Sequence, residues 1–304
     1  MNSPALPRCG IGWRHPHRQA LFESAAAPGF IEVHSENYFA PGGAARASLL
    51  AARENHAVSL HGVGLALGSV SGIDPDHLQQ LGQLVREVQP ERVSDHACFA
   101  RVRWAGSTMV HAADLLPTPF TREALEVFCA NVQRVQDHLQ REIAVENLSS
   151  YLRWRGDDMD EPAFLRELVR RTGCRLLLDI NNLLVNALND QRQGTSDDAC
   201  GDPSAMARAW IDRLPSGIVA ELHLAGHADT GDIVIDDHGS PVPPAVWSLY
   251  RHAVQRLGLV PALVEWDTDL PSFDVLMAQA READRLLQLA LASPAQDRLA
   301  GAAA

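Results

Sequence analysis

Eight short apolar runs recur along the chain, each followed by a longer amphipathic stretch, and this alternation limits the fold more than any other feature. The runs are RCGIGW (8–13), GFIEVHSE (29–36), AVSLHG (57–62), ERVSDHA (91–97), EIAVEN (142–147), RLLLDIN (175–181), IVAELHL (218–224) and ALVEWD (262–267). They are continuously apolar before their polar ends, as strands of a parallel sheet buried on both faces must be. Helical patterns lie between and after them, near 15–27, 43–55, 161–172, 202–213, 243–257 and 272–292, and in DPDHLQQLGQLVREVQ and TREALEVFCANVQRVQDHLQ. In the first of these two, Leu78, Leu81, Leu84, Val85 and Val88 recur at i, i+3, i+4 spacing behind an Asp-Pro start.

Eight βα units in 304 residues predict an α/β fold, a (β/α)8 TIM barrel formed by one domain. A doubly wound open sheet is the alternative, but no GxGxxG follows the first strand. No short repeat or composition break marks a second domain. The catalytic domain is expected over 8–292, with residues 1–7 flexible and the small-residue tail 293–304 disordered.

Lys plus Arg number 26 against 38 Asp plus Glu, a net charge of −12, which disfavours a phosphate-backbone partner while leaving room for a local basic groove. The five cysteines (Cys9, Cys98, Cys129, Cys174, Cys200) are dispersed and form no CxxC, so neither a disulfide framework nor a thiolate zinc site is predicted. No apolar signal region or run of about 18 apolar residues occurs. The expectation is a cytoplasmic protein with neither a nucleic-acid nor a membrane partner. Two connections are long, residues 98–119 after the fourth strand and 183–203 after the sixth, and both leave C-terminal strand ends, where long loops tend to be functional.

The strand ends carry the chemistry. His61, His96, Glu146, Asp179, Asn182, His223 and Glu265 all fall at the C-terminal ends of six strands, and Asp236 and His238 join them from the loop after strand seven. In a parallel barrel those ends form one rim, where active sites of this fold are built. The nine are nitrogen and oxygen donors with no thiolate, a set suited to iron, manganese or zinc and large enough for two or three ions. Each has a plainer reading taken alone: a strand-end His is commonly hydrogen-bonded structure, and Asp179 could cap a helix. Recurrence at one end of so many strands argues for the metal reading. By contrast His77, His138 and His252 fall in helical patterns and are assigned to surfaces or caps.

Weaker candidates surround this set. Glu32, His34, Glu36 and Asn37 at the second strand's end are explained equally well by rim hydrogen bonds. His227 is a candidate extra ligand, proton donor or residue orienting a ligand, and Asp267 lies on the same strand face as Glu265 as a candidate base or a residue orienting a ligand. Cys98 has no identifiable base partner and reads as a small buried hydrophobe. No GxSxG, P-loop or HExxH is present.

In this order and approximate spacing, GIGWR, IEVHSENY, LHGVGLALGS, SDHACF, ENLSSY, LLLDINNLLVNA, ELHLAGH, DDH and LVEWD resemble the motifs of the multinuclear non-haem iron-dependent oxidative enzymes, the family that includes the methanobactin biosynthesis B protein. The resemblance spans about residues 10–270. It implies a barrel holding two or three irons of mixed Fe(II)/Fe(III) state, with O2 as co-substrate, that oxidises cysteine residues of a ribosomally made precursor peptide. It assigns the same nine residues as iron ligands and leaves His34 out. It also implies a small partner protein that binds the precursor's leader. The family's products differ, including an oxazolone with thioamide, another thio-heterocycle or a carbon-excised residue. Other enzymes on the same rim remain as alternatives: a xylose-isomerase-like sugar isomerase or epimerase, and a metal-dependent phosphodiesterase, the latter disfavoured by charge. A metal-binding scaffold that only docks a partner is the non-enzymatic alternative.

Overall fold

The computed structural model describes residues 9–104, 108–194 and 201–292. The expected flexible segment 1–7, the tail 293–304 and Cys200 lie outside the described residues. In chain order the elements are β1 (Gly10–Gly12), α1 (Arg18–Glu23), β2 (Ile31–His34), α2 (Gly43–Arg53), β3 (Val58–Gly62), α3 (Pro75–Val88), β4 (Arg92–His96), β5 (Cys98–Trp104), β6 (Thr108–Pro117), α4 (Arg122–Leu139), β7 (Ala144–Glu146), α5 (Glu161–Thr172), β8 (Arg175–Asp179), α6 (Ile180–Gln193), α7 (Pro203–Asp212), β9 (Val219–Leu224), β10 (Ala228–Asp229), β11 (Val234–Ile235), α8 (Pro244–Leu257), β12 (Ala262–Val264) and α9 (Phe273–Ala292). Eight strands close a barrel in the order β1-β12-β9-β8-β7-β4-β3-β2, the (β/α)8 fold the alternation predicts.

Local chemistry explains the helix boundaries. Asp74, Thr121, Asp160 and Asp202 each accept backbone N–H bonds from the first turn of the helix that follows, and proline occupies the first turn of α3, α5 and α7, where no amide donor is needed. Gly173 and Gly194 end α5 and α6 in the left-handed region, which favours glycine. The five apolar residues anticipated on α3 are all buried.

The chain divides into two compact units, one comprising residues up to Phe30 and from Asp179 onward, the other Ile31–Leu178. The second contains β2, β3, β4, β7 and β8, with parallel registers that set His61 opposite Ser94, Gly62 opposite Asp95 and His96 opposite Glu146. Its core is closed by edge-on packing of Phe128 against Phe164, centroids 5.5 Å apart. The first contains β1, β9 and β12, with Leu263 in register with His223 and Val264 with Leu224.

The described parts of both long connections, which leave out 105–107 and 195–200, contain regular structure. Residues 98–104 and 108–117 pair as the antiparallel strands β5 and β6. Residues expected to begin a loop at 183 instead belong to α6: Asp179 Oδ1 accepts from the Asn182 amide at 2.7 Å, and Leu183, Leu184 and Ala187 are buried. The Asx cap and a helical apolar spacing outweigh the polar appearance of NDQRQG. A second small hairpin pairs β10 with β11.

Candidate metal centre

Of the donor groups among the described residues, two lie each within one compact unit. In the Ile31–Leu178 unit, His61, His96 and Glu146 end β3, β4 and β7, and each offers a ligand atom within 4.8 Å of the others. His61 Nε2 lies 3.2 Å and His96 Nε2 3.3 Å from the same Glu146 oxygen, and all three side chains are buried. The tautomer of His96 follows from its partner. Its Nδ1 is 3.0 Å from the Gly62 carbonyl, which can only accept, so Nδ1 carries a proton and Nε2 is the nitrogen turned toward Glu146. His61 Nδ1 bonds Ser94 Oγ at 2.8 Å and likewise leaves Nε2 toward the carboxylate. Two imidazoles and one carboxylate form the donor triad that suits a non-haem ferrous ion.

Asp95 holds this triad in place without joining it. Its Oδ1 accepts from the His96 amide at 2.7 Å and its Oδ2 from the Leu65 amide at 3.0 Å. Burial, then the Glu36 charge, pushes its carboxyl up to about 7. A Cβ at Gly62 would collide with Asp95 Oδ2, so only glycine fits opposite it. Cys98, two residues beyond His96, is buried, and burial followed by the Asp95 charge pushes its thiol well up, as befits an inert core cysteine.

In the other unit Asp179, His238 and Glu265 form a second group within the same 4.8 Å limit. His223 Nδ1 is 2.9 Å from Glu265 Oε2, His238 Nε2 is 2.7 Å from Asp236 Oδ1, and His238 Nδ1 is 3.4 Å from Glu265 Oε2. Asn182 is buried in the first turn of α6, its amide on Asp179. Asp267 Oδ2 is 3.7 Å from His238 Nδ1. His238 adopts a left-handed φ of 48°, a strained backbone for a non-glycine residue that is typical of functional positions.

The electrostatics of this second group suit a cation. Asp179, Asp236, Glu265 and Asp267 are set against Arg14 and His238. Burial and then repulsion from Asp236 push the Asp179 carboxyl up to about 7. For His238 burial opposes the charge, but Asp236 and Glu265 outweigh it and hold the imidazolium pKa well above its ordinary value. Carboxylates that must draw protons to balance their charge are the oxygen donors a di- or trivalent ion satisfies. The residues therefore fit iron at both groups.

Three supporting residues were invisible as ligands in the sequence. Arg14, in GIGWR, donates from Nη2 to Glu265 at 3.0 Å and from Nε to Asp267 at 2.6 Å. Asn181, in LLLDINN, donates to Asp236 at 2.7 Å and accepts from His227 Nδ1 at 2.7 Å. His227 thus touches the group through Asn181, and it also lines a cavity of about 270 Å³ with Leu184, Leu188, Pro243 and Pro244. Asp95 is the third. Only their place inside the strand-end motifs hints at them, since an Arg or Asn beside a ligand has no spacing signature. His77 is more enclosed than a surface residue, 3.3 Å from Glu36, while His252 pairs with Asp212 as a helix-surface residue does.

Comparison with known proteins identifies the family. A family model described as RiPP precursor modification enzyme MbnB/TglH/ChrH matches residues 8–288. The chain belongs to this family. Members are enzymes that modify precursors of ribosomally synthesised and post-translationally modified peptides. A UPF0276 protein of Vibrio vulnificus is 42% identical over 294 residues, 95% of each chain, and one of Chromobacterium violaceum is 42% identical over 288 residues, 94% of this chain and 98% of the relative. Among solved structures, a xylose isomerase-like TIM barrel protein of Mycobacterium smegmatis with magnesium superposes with a TM-score of 0.54 at 13% identity, covering 95% and 98% of the two chains. Endonuclease IV of Thermus thermophilus gives 0.53 at 14%, covering 94% and 99%. These two likenesses show the barrel and nothing of the activity. No helix among the described residues is long and apolar enough to cross a membrane.

Proposed function

We propose that this enzyme is a multinuclear non-haem iron oxidase that uses O2 to oxidise cysteine residues of a ribosomally made precursor peptide, served by a small leader-binding partner protein, in the cytoplasm. The observation that carries the reading is the His61–His96–Glu146 triad, in which a backbone carbonyl engages His96 Nδ1 and leaves Nε2 as the nitrogen facing the group. Asp179, Asn182, His223, Asp236, His238 and Glu265 would hold the remaining iron or irons. Bound iron supplies a Lewis acid that favours the substrate thiolate and a route for electrons to O2.

The chain's own residues then have separable tasks. Arg14 balances Glu265 and Asp267, so the group keeps its carboxylates together. Asn181 orients Asp236 and His227 through one amide. With Nδ1 donating to Asn181, His227 has Nε2 left to accept a proton, and burial lowers its pKa and keeps it neutral near pH 7. Asp267, a quarter exposed and 3.7 Å from His238 Nδ1, is placed to exchange a proton with solvent beside the group. Membership of a peptide-modifying family supports this over a sugar isomerase or phosphodiesterase on the same barrel.

The test is metal analysis with Mössbauer spectroscopy on protein from iron-supplemented cells. Two or three irons per chain in a spin-coupled high-spin cluster are expected, with His96→Ala losing one iron. Zinc or manganese alone, with no gain from iron, would overturn the reading.

A further inference from the structure

The hairpin β5–β6 presents apolar surface that the barrel does not use. In its ladder Val102 stands opposite Val110 and Trp104 opposite Thr108, so these four share one face, with Arg103 and Met109 paired on the other. Val102 is 50%, Trp104 68%, Val110 44% and Met109 40% exposed. The loop after β7 meets the base of the hairpin and adds exposed apolar side chains there: Leu152 is 56% and Trp154 44% exposed. Trp154 is fixed to the hairpin's base, its Nε1 donating to the Pro117 carbonyl at 2.8 Å and its ring 6.3 Å from that of Phe99. Large side chains this exposed mark a contact surface.

The base is rigid. Ser69 Oγ accepts from the Ala100 and Arg101 amides, and the Arg101 guanidinium is pinned by Asp74 at 2.6 Å and the Gly72 carbonyl at 2.7 Å. Apart from Arg101, whose charge Asp74 compensates, the two segments 98–117 and 147–156 carry Arg103, Arg153 and Arg155 against one acid, Asp114, in a chain whose net charge is −12. The nearby Asp157 and Asp158 carboxylates accept from the Phe120 and Arg122 amides. β5 and β6 form a two-stranded sheet among the described residues, a ladder to which an extended chain can add. Both segments also begin at the triad: β5 starts two residues after His96, and the loop starts directly after Glu146.

We propose that this hairpin and the 147–156 loop are the docking surface for an extended segment of the peptide substrate in which acidic and apolar residues alternate, an inference that rests on the peptide-modifying reading above. Apolar side chains of the segment would cover Val102, Trp104 and Val110, and its carboxylates would meet Arg103 and Arg155.

The probe is a fluorescein-labelled dodecapeptide alternating Glu with Val and Leu, titrated against the full-length protein by anisotropy, with a Lys-for-Glu version as control. The acidic peptide is expected to bind about tenfold or more tightly than the basic one, Trp104→Ala to weaken it about tenfold, and the double variant Arg103→Glu/Arg155→Glu to reverse the preference. These side chains are exposed, and melting temperatures check that the variants stay folded. Absence of saturable binding, equal affinity for both peptides, indifference to Trp104→Ala, or displacement by oligothymidine at equal affinity would each overturn the proposal. Iron content measured on the same preparations separates the two readings: normal iron without peptide binding removes the docking surface alone, and peptide binding without iron removes the oxidase alone.

Discussion

Replacing Arg14 with Met keeps most of the side chain's length and apolar stem but removes the cation that faces two carboxylates. Arg14 is 11% exposed and reaches Glu265, 4% exposed, at 3.0 Å and Asp267, 26% exposed, at 2.6 Å. Breaking one side of a buried pair costs about 3–5 kcal/mol, because the remaining charge stays desolvated. Glu265 deserves nearly that cost, yet it keeps His223 Nδ1 at 2.9 Å, and the wetter Asp267 adds little. The expected loss is therefore about 3 kcal/mol in metal-free protein, roughly 6 °C in Tm for a chain of this size. The assay is thermal unfolding of chelator-treated Arg14→Met and parent protein, repeated anaerobically with ferrous ion. A bound cation takes over the neutralisation, so the deficit should shrink by about half or more with iron. Arg14→Lys keeps the charge without the two-pronged geometry and should fall between the two. Equal Tm values without metal, or a deficit indifferent to iron, would refute the electrostatic account of this group.

Other consequences follow from the same geometry. Gly62→Ala drives a methyl into Asp95 and through it displaces His96, so a loss of about 1–3 kcal/mol in thermal unfolding is expected, together with a fall in iron content. Asn181→Leu removes partners of both Asp236 and His227, costing about 1–3 kcal/mol, and elemental analysis should show weaker metal retention while the His61 triad stays loaded. Asp74→Ala removes the α3 cap and the partner of Arg101, about 1 kcal/mol at pH 7 by thermal or urea unfolding. Burial works against the Asp74 charge, but the Asp76 and His77 amides and Arg101 outweigh it and lower its pKa. Its contribution is therefore complete above the ordinary value of 3.8 and is lost as pH falls through the lowered one, so parent and variant should converge only in acid below the ordinary carboxylate value.

Much of this protein is legible without coordinates, and the reason is periodicity. Continuously apolar runs such as RLLLDIN and IVAELHL can only be strands buried on both faces, and eight of them alternating with amphipathic helices leave few topologies besides a closed parallel barrel. That architecture also explains why His61, His96 and Glu146 were identifiable as a set: in parallel strands the position in the run settles which end a residue occupies. The register of β3, β4 and β7 then sets which atoms meet, and a single register pair, His96 with Glu146, decides the triad.

Tertiary structure alone decided the rest, because it depends on contacts between residues far apart in the chain. Arg14 is 251 residues from Glu265, and nothing in GIGWR announces the pairing. The orientation of His96 depends on a carbonyl 34 residues earlier, and Asn181 reaches an aspartate 55 residues later. Residues 98–117 show turn and strand residues without a buried face, so only the folded ladder reveals that Val102, Trp104 and Val110 share one exposed side. The sequence by itself determined which residues could be donors and at which end of the barrel strands they lie. Which atoms face each other, which charges are compensated and which apolar side chains remain in water were decided by folding, since only it removes solvent from some groups and leaves it on others.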